Sequence, residues 1–248
     1  MIAEERWDGI IRLLDEKGSV TVTELTELLH TSESTIRRDL AQLDRMNRLV
    51  RVHGGAVKPE SLTSYVPDDI SMHERYHLHS AEKEAIAAYA SGLLRENDFV
   101  YIDAGTTTER LVEAVKPGPV YVTNSIGHAM KLLHKGCRVI LPGGEIKPVT
   151  EALVGADTVD AVRRFHFTVG FWGTNGVSDR TGFTTPDPDE AAVKRTTMEH
   201  TERRYVLCDH SKFQIVSPVS FAAFPFAEII TDSGVDSRFR KYGNIHIV

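Results

Sequence analysis

From residue 98 onward the chain repeats one pattern: a short apolar run, a polar residue or glycine, then a helical stretch. "DFVYIDAG", "VYVTNS", "CRVILPGG", "FTVGFWGTNGV" and "RYVLCDHSKF" read as strands, and "EIITD" and "IHIV" complete the set. Between them "TTTERLVEAV", "IGHAMKLLH", "TEALVGADTVDAVRRF" and "DEAAVKRTTMEHT" read as helices. Parallel neighbours need a crossover, and strand–helix alternation supplies one, so the pattern predicts an α/β domain with a mostly parallel sheet. In such a sheet the strands end on one edge, and ligands bind there.

Polar residues recur at that edge. Asp103, Asn124, Asn175 and Asp209 fall at or just past the ends of apolar runs. Gly105, Gly143, Gly144, Gly173 and Gly176 lie beside them, where backbone can approach a ligand closely. In "DAGTTT" a glycine and Thr106, Thr107 and Thr108 open a helix, so free N–H groups and the helix dipole converge on one spot. A phosphate monoester suits that spot, although threonines at a helix start also serve as caps. Lys147, Lys194 and Lys212 offer cations that could complete an anion site.

The first sixty residues have a different character. Trp7, Ile10, Ile11 and Leu14 recur at helical spacing before Gly18. A second helix follows, with Thr23 as its expected cap and Leu25, Leu28 and Leu29 as its buried stripe. After a tight turn, Ser32 caps a third helix whose Ile36, Leu40 and Leu43 face inward. Two helices joined so closely predict a helix-turn-helix. Leu49, Val50 and Val52 then alternate with polar residues ahead of Gly54-Gly55, which predicts a hairpin wing. The net charge of −6 is unusual for a nucleic-acid binder, but its distribution is not uniform. Residues 1–33 carry a net −5, whereas residues 34–58 carry +4. A local basic patch of this kind can hold phosphates on an acidic protein. Ser34, Thr35, Arg37 and Arg38 sit where a recognition helix enters the major groove, with Arg51 and His53 on the wing.

Composition narrows the rest. With 41% hydrophobic and 26% charged residues the chain is of ordinary globular type. No apolar run approaches a membrane span, and the acidic start "MIAEERWDGI" has no signal-type apolar core, so a cytoplasmic location with no membrane partner is expected. Cys137 and Cys208 are too few for a disulfide framework and are expected to be reduced core residues. Pro59, Pro67 and their polar neighbours mark a linker over residues 59–80, which separates a DNA-binding domain at 1–58 from an α/β domain at 81–248. His73, His77 and His79 cluster there; the first two have metal-ligand spacing, but no acid or cysteine partner is evident. Neither metal nor cofactor is expected.

The stretch "SESTIRRDLAQLDRMNRLVRVHGGAV" resembles the winged-helix signature of the DeoR family of bacterial transcription regulators. "DAGTTT", "VTNS", "GG…LVG", "GTNGVS", "GFTTPDPDEAAVKR" and "DHSKF" resemble that family's sensor domain along nearly its whole length. The resemblance implies operator DNA as partner, a ribose-5-phosphate isomerase-like sensor fold, a homodimer or homotetramer, and a phosphorylated sugar as effector. It implies an effector site at Asp103, Gly105, Thr106, Thr107, Thr108, Thr123, Asn124, Ser125, Gly143, Gly144, Lys147, Asn175, Lys194 and Lys212. Lys147 stands where many relatives have arginine, and His79 where they usually have asparagine. "GFWGTNGVS" and "GFTTPDPDEAAVK" look closest to fructose-operon repressors, which implies fructose 1-phosphate. The rival expectation is a sugar-phosphate isomerase fused to a DNA-binding module. Isomerisation needs a carboxylate base, and "GTNGVS" carries Asn175 where the isomerases have an acid-rich run, so repression relieved by ligand, without turnover, is the expected activity.

Overall fold

Caps and one buried acid set the geometry of the N-terminal helices. In the computed structural model, helix Ala3–Lys17 precedes helix Val22–Leu28. Thr21 Oγ1 accepts the Glu24 N–H at 3.2 Å, and Glu24 reaches back to the Thr21 N–H. This reciprocal capping box starts the helix ahead of the expected cap, so Thr23 lies inside the first turn. Ser32 caps helix Glu33–Arg45 as expected, accepting the Thr35 N–H at 3.3 Å. Ile10, Leu14, Val20, Leu25, Ile36, Leu40 and Leu43 form one core. Leu28, expected inside, is exposed, and Leu29 packs only partly against that core.

Strands Val50–Val52 and Gly55–Val57 pair antiparallel, and Ser19–Thr21 adds to Gly55–Val57. Gly55 therefore begins a strand. A Cβ there would lie 2.1 Å from the Val20 carbonyl oxygen, so the close strand approach needs glycine.

The structure describes residues 3–17, 19–46, 48–52, 55–57, 64–65 and 72–248. His53, Gly54 and much of the expected linker lie outside the described residues. The chain divides into two compact units, Met1–Ser64 and Tyr65–Val248.

The second unit is built on a seven-stranded sheet. Its spatial order is Ile245–Ile247, Glu228–Thr231, Thr201–Leu207, Phe167–Gly173, Phe99–Ile102, Val120–Thr123, Arg138–Ile140. Every pairing in it is parallel. Alternation along the strands sorts the apolar side chains. Val100, Ile102, Tyr121, Val169, Phe171 and Ile230 pack with Ile86, Ala90 and Leu111 on one face. Tyr101, Val122, Trp172, Val206 and Ile229 pack with Met198 and Phe221 on the other. Gly170 is required by this arrangement, because a Cβ there would lie 2.2 Å from the Trp172 ring.

Two expected elements break up. "TEALVGADTVDAVRRF" is not one helix: Ala152–Val154 is a buried strand paired with Glu145–Lys147, and the helix is Ala156–Val162. The run ending in "GTNGV" leaves the parallel sheet after Gly173, and Gly176–Ser178 joins Gly182–Thr185 and Val219–Ala222 in a separate antiparallel sheet. From Met72 the chain is helical, so the end of the expected linker belongs to the second unit. Among the described residues no helix is long and apolar enough to cross a membrane.

Asp39 joins the first and third helices. Arg6 donates to its two oxygens at 2.6 and 3.0 Å, and the Trp7 indole N–H donates at 2.9 Å. Asp39→Ala would remove the carboxylate that accepts from the largely buried Arg6 guanidinium and from the Trp7 indole N–H. A loss of about 3 kcal/mol from the N-terminal unit is expected, read as a lower urea midpoint. A loss below about 0.5 kcal/mol, the scale of an ordinary surface change, would contradict that role.

Candidate functional site

Because the strands run parallel, their C-terminal ends meet at one edge, where a cavity of about 250 Å³ opens. Asp103 follows the central strand Phe99–Ile102 and forms one wall. Helix Pro188–Glu199 supplies another: Asp187 caps it, accepting the Asp189 and Glu190 N–H groups at 2.8 and 3.0 Å, and Pro188 opens its first turn. Spacing of four then puts Glu190 and Lys194 on one face, both lining the cavity.

Lys194 Nζ donates to Asp103 Oδ2 and to the Gly173 carbonyl, the latter at 3.1 Å. The Gly173 N–H donates to the same Asp103 oxygen at 3.1 Å. Both side chains are buried. Burial pushes the Asp103 carboxyl above the usual range, and Lys194 opposes that shift. Glu190 is held differently. It accepts from Thr150 at 2.6 Å, Lys147 at 3.1 Å and Thr185 at 3.2 Å. Burial acts to raise its carboxyl, but Lys194, Thr150 and Lys147 prevail and hold it below the usual range.

The remaining wall is cationic. Lys83 is buried on helix Ser80–Ser91, and its Nζ donates to the Arg75 carbonyl at 2.5 Å. Burial, against the opposing charge of Asp209 and with the charges of Lys212, Arg75 and Arg110, lowers its pKa to about 8. Arg75, Lys83 and Lys212 line the cavity together with Gly105, Thr106 and Thr107. Gly105 caps helix Thr106–Ala114 without a side chain, so the opening N–H groups are left to the cavity. Behind them His128 is buried, and burial lowers its pKa to about 4, which keeps the ring neutral at pH 7.

Residues 6–62 match the DeoR-like helix-turn-helix domain, and residues 78–233 match the DeoR C terminal sensor domain. The chain belongs to the DeoR family. It is 39% identical over 98% of its length to the uncharacterized HTH-type transcriptional regulator FruR of Bacillus subtilis, covering 96% of that protein. It is 30% identical to the lactose phosphotransferase system repressor of Streptococcus mutans, over 97% of this chain and 96% of that one. Ribose 5-phosphate isomerase A of Methanocaldococcus jannaschii is similar at 13% identity and a TM-score of 0.39, over 53% of each chain.

In this DeoR-family protein the expected effector residues separate into two groups. Asp103, Gly105, Thr106, Thr107, Asn124, Asn175, Lys194 and Lys212 come together on the cavity. Asn124 is already engaged: its Oδ1 accepts from Tyr101 and the Ala104 N–H, and its Nδ2 donates to the Leu153 carbonyl. Six others do not line it. Thr108 turns back to donate to the Gly105 carbonyl at 2.9 Å, Thr123 accepts the Ser125 N–H, and Ser125 caps helix Ile126–His134. Gly143 accepts a hydrogen bond from Thr158, and Gly144 packs so close to Thr158 that a Cβ would lie 1.8 Å from its oxygen. Lys147 is held by Asp187 and Glu190 at 3.2 and 3.1 Å.

The cavity also includes Arg75, His79, Lys83, Thr150, Glu190 and Asp209, none of them on the expected effector set. Lys83 had a signal, since it shares a helix face with Ile86 and Ala90 at spacings of three and seven. In the other unit Ser34, Arg37 and Arg38 are exposed and Thr35 is half-buried. Arg37 pairs with Glu33 at 3.2 Å. Arg51 lies on strand Val50–Val52.

Because Lys83 loses its proton near pH 8, an anion in this cavity must restore it. Below pH 7 the ammonium is present and binding needs no proton. Between about pH 8 and 9 binding should take up a proton, and phosphate-monoester affinity should fall as pH rises. Calorimetry in buffers of different ionisation heat measures the uptake. Equal heats across buffers at pH 8.5 would contradict a role for Lys83.

Proposed function

We propose that this protein represses a sugar-utilisation operon and is released from operator DNA by a phosphorylated sugar, fructose 1-phosphate. The observation that carries the reading is the composition of the cavity. One wall offers Lys83, Lys212 and the opening N–H groups of helix Thr106–Ala114 to a phosphate. The same lining offers the Asp103–Lys194 pair, whose donors and acceptors suit sugar hydroxyls. The resemblance of "GFWGTNGVS" to fructose-operon repressors supports the choice of sugar, as does similarity to a regulator named FruR. Relatives named as lactose phosphotransferase system repressors support the regulatory sense.

On this reading residues 1–58 hold the operator and residues 81–248 hold the sugar, with Arg75, Leu78 and His79 of the intervening segment contributing to the cavity. Ser34, Thr35, Arg37, Arg38, Arg51 and His53 contact double-stranded DNA. A homodimer or homotetramer presents paired modules to a two-fold operator. The protein recognises its ligand without turning it over. Glu190 accepts from three donors, with Lys194, Thr150 and Lys147 holding its basicity down, and Asp103 is committed to Lys194. Neither carboxylate is poised to take a proton from carbon.

A panel of sugar phosphates in a thermal-shift assay tests the reading. Fructose 1-phosphate should raise the melting temperature more than inorganic phosphate or unphosphorylated fructose, with no isomer formed by NMR. Arg38→Ala should abolish operator binding and keep the full thermal shift. Loss of both in a folded variant would refute the division of labour, and steady conversion of the sugar phosphate would establish the isomerase instead.

A further inference from the structure

His79 is half-buried on the cavity, at the N-cap of helix Ser80–Ser91, in the left-handed region with φ 53 and ψ 45. The fold brings Asp209 and His210 to it from the far end of the chain. One ligand atom from each of His79, Asp209 and His210 lies within 4.8 Å of the others. The two imidazoles meet edge to face with centroids 5.0 Å apart. We infer that His79, Asp209 and His210 form a binding site for a divalent transition metal of the zinc type, open toward the cavity.

The chemistry of the donors supports this. Two imidazoles and one carboxylate are the ligand types that zinc takes in sites with an open position. His210 is already oriented for the task. Its Nδ1 lies 2.8 Å from Asp232 Oδ2, and its backbone N–H donates to Asp232 Oδ1 at 2.7 Å. That leaves Nε2 for a metal, with the carboxylate fixing ring and tautomer, as outer carboxylates do at histidine–zinc sites. Asp232 is itself steadied by the Gly234 N–H at 2.9 Å. His79 Nδ1 faces Glu82 at 3.8 Å, which likewise leaves Nε2. On Asp209, Oδ1 is taken by Ser211, so Oδ2 is the oxygen left for a cation. Tetrahedral zinc with bonds of about 2.0–2.1 Å sets its ligand atoms roughly 3.3 Å apart, and one donor atom from each of the three side chains already lies within 4.8 Å of the others.

The fourth position follows from which residues reach the cavity. His79 and Asp209 line it and His210 does not, so the metal sits at the wall with its open side inward. Lys83 feels the Asp209 charge and competes with a metal for that carboxylate, so the affinity should fall below that of structural zinc. His77 is exposed and is not among the three ligands.

The test uses zinc alone on the full chain after chelator treatment, so it stands apart from the sugar-phosphate reading. Calorimetry at pH 7.5 should give one zinc per chain with a dissociation constant of about 10 µM or tighter. His79→Asn and His210→Ala should each weaken binding more than tenfold. Asp232→Asn, which touches no metal, should weaken it about 10- to 100-fold. His77→Ala should leave it unchanged. Circular dichroism checks that each variant folds. Wild-type protein loaded with cobalt should show the visible absorption of a low-coordinate, histidine-ligated ion, a readout that needs no variant. Absence of stoichiometric binding, full binding by folded His79→Asn, or a cobalt spectrum without histidine ligation would overturn the site.

Discussion

Lys194 and Asp103 meet in the protein interior at the point where the two central strands of the parallel sheet end. Neither charge could be buried there alone, since an uncompensated ion in a low-dielectric site costs several kcal/mol. The pair therefore fixes three elements at once: the end of Phe99–Ile102, the end of Phe167–Gly173 through both backbone groups of Gly173, and the helix carrying Lys194. Trp172 extends the same logic inward, donating to Thr197 at 3.0 Å on that helix. An apolar pair would pack such a corner at less cost in desolvation. Keeping ions there makes sense if the corner must recognise something polar.

What it recognises follows from how charge is divided around the cavity. Acids and cations are interleaved around it, and most acids are already engaged: Asp103 by Lys194, Glu190 by Lys147 and two threonines, Asp209 by Ser211. Lys83 is the exception on the cationic side, because burial makes its own charge costly. A dianion would relieve that cost, so the site is poised to gain more from a phosphate than from a neutral sugar. Engaged acids and an eager cation suit recognition better than proton transfer. The metal site inferred beside them would add a second positive centre to the same wall.

Much of this is legible in the amino-acid sequence. Alternating apolar runs identified the parallel sheet, and a polar residue after each run identified the edge on which Asp103, Asn124, Asn175 and Asp209 now lie. Periodicity reports an edge but not a direction. Thr108, Thr123, Ser125, Gly143, Gly144 and Lys147 stand beside cavity residues in sequence yet serve caps, turns and an ion pair. Thr21 displaced Thr23 as a cap because Glu24 could complete a capping box, a reciprocal bond that composition does not rank. Asp39 stands beside Arg37 and Arg38 in sequence, whereas Arg6 and Trp7 claim it from another helix. The joining of His79 to Asp209 and His210 is a product of folding alone, invisible at a separation of more than a hundred residues.

On the proposed function, ligand in the strand-edge cavity weakens the hold on DNA. Linkage requires that the ligand bind the free protein more tightly than the DNA-bound one. Fluorescence anisotropy of an operator duplex, selected by the protein from its own genome, measures this when fructose 1-phosphate is titrated in. Saturating ligand should weaken operator affinity about tenfold or more, within the usual range of allosteric coupling. An operator affinity unchanged by a ligand that demonstrably fills the cavity would contradict the account.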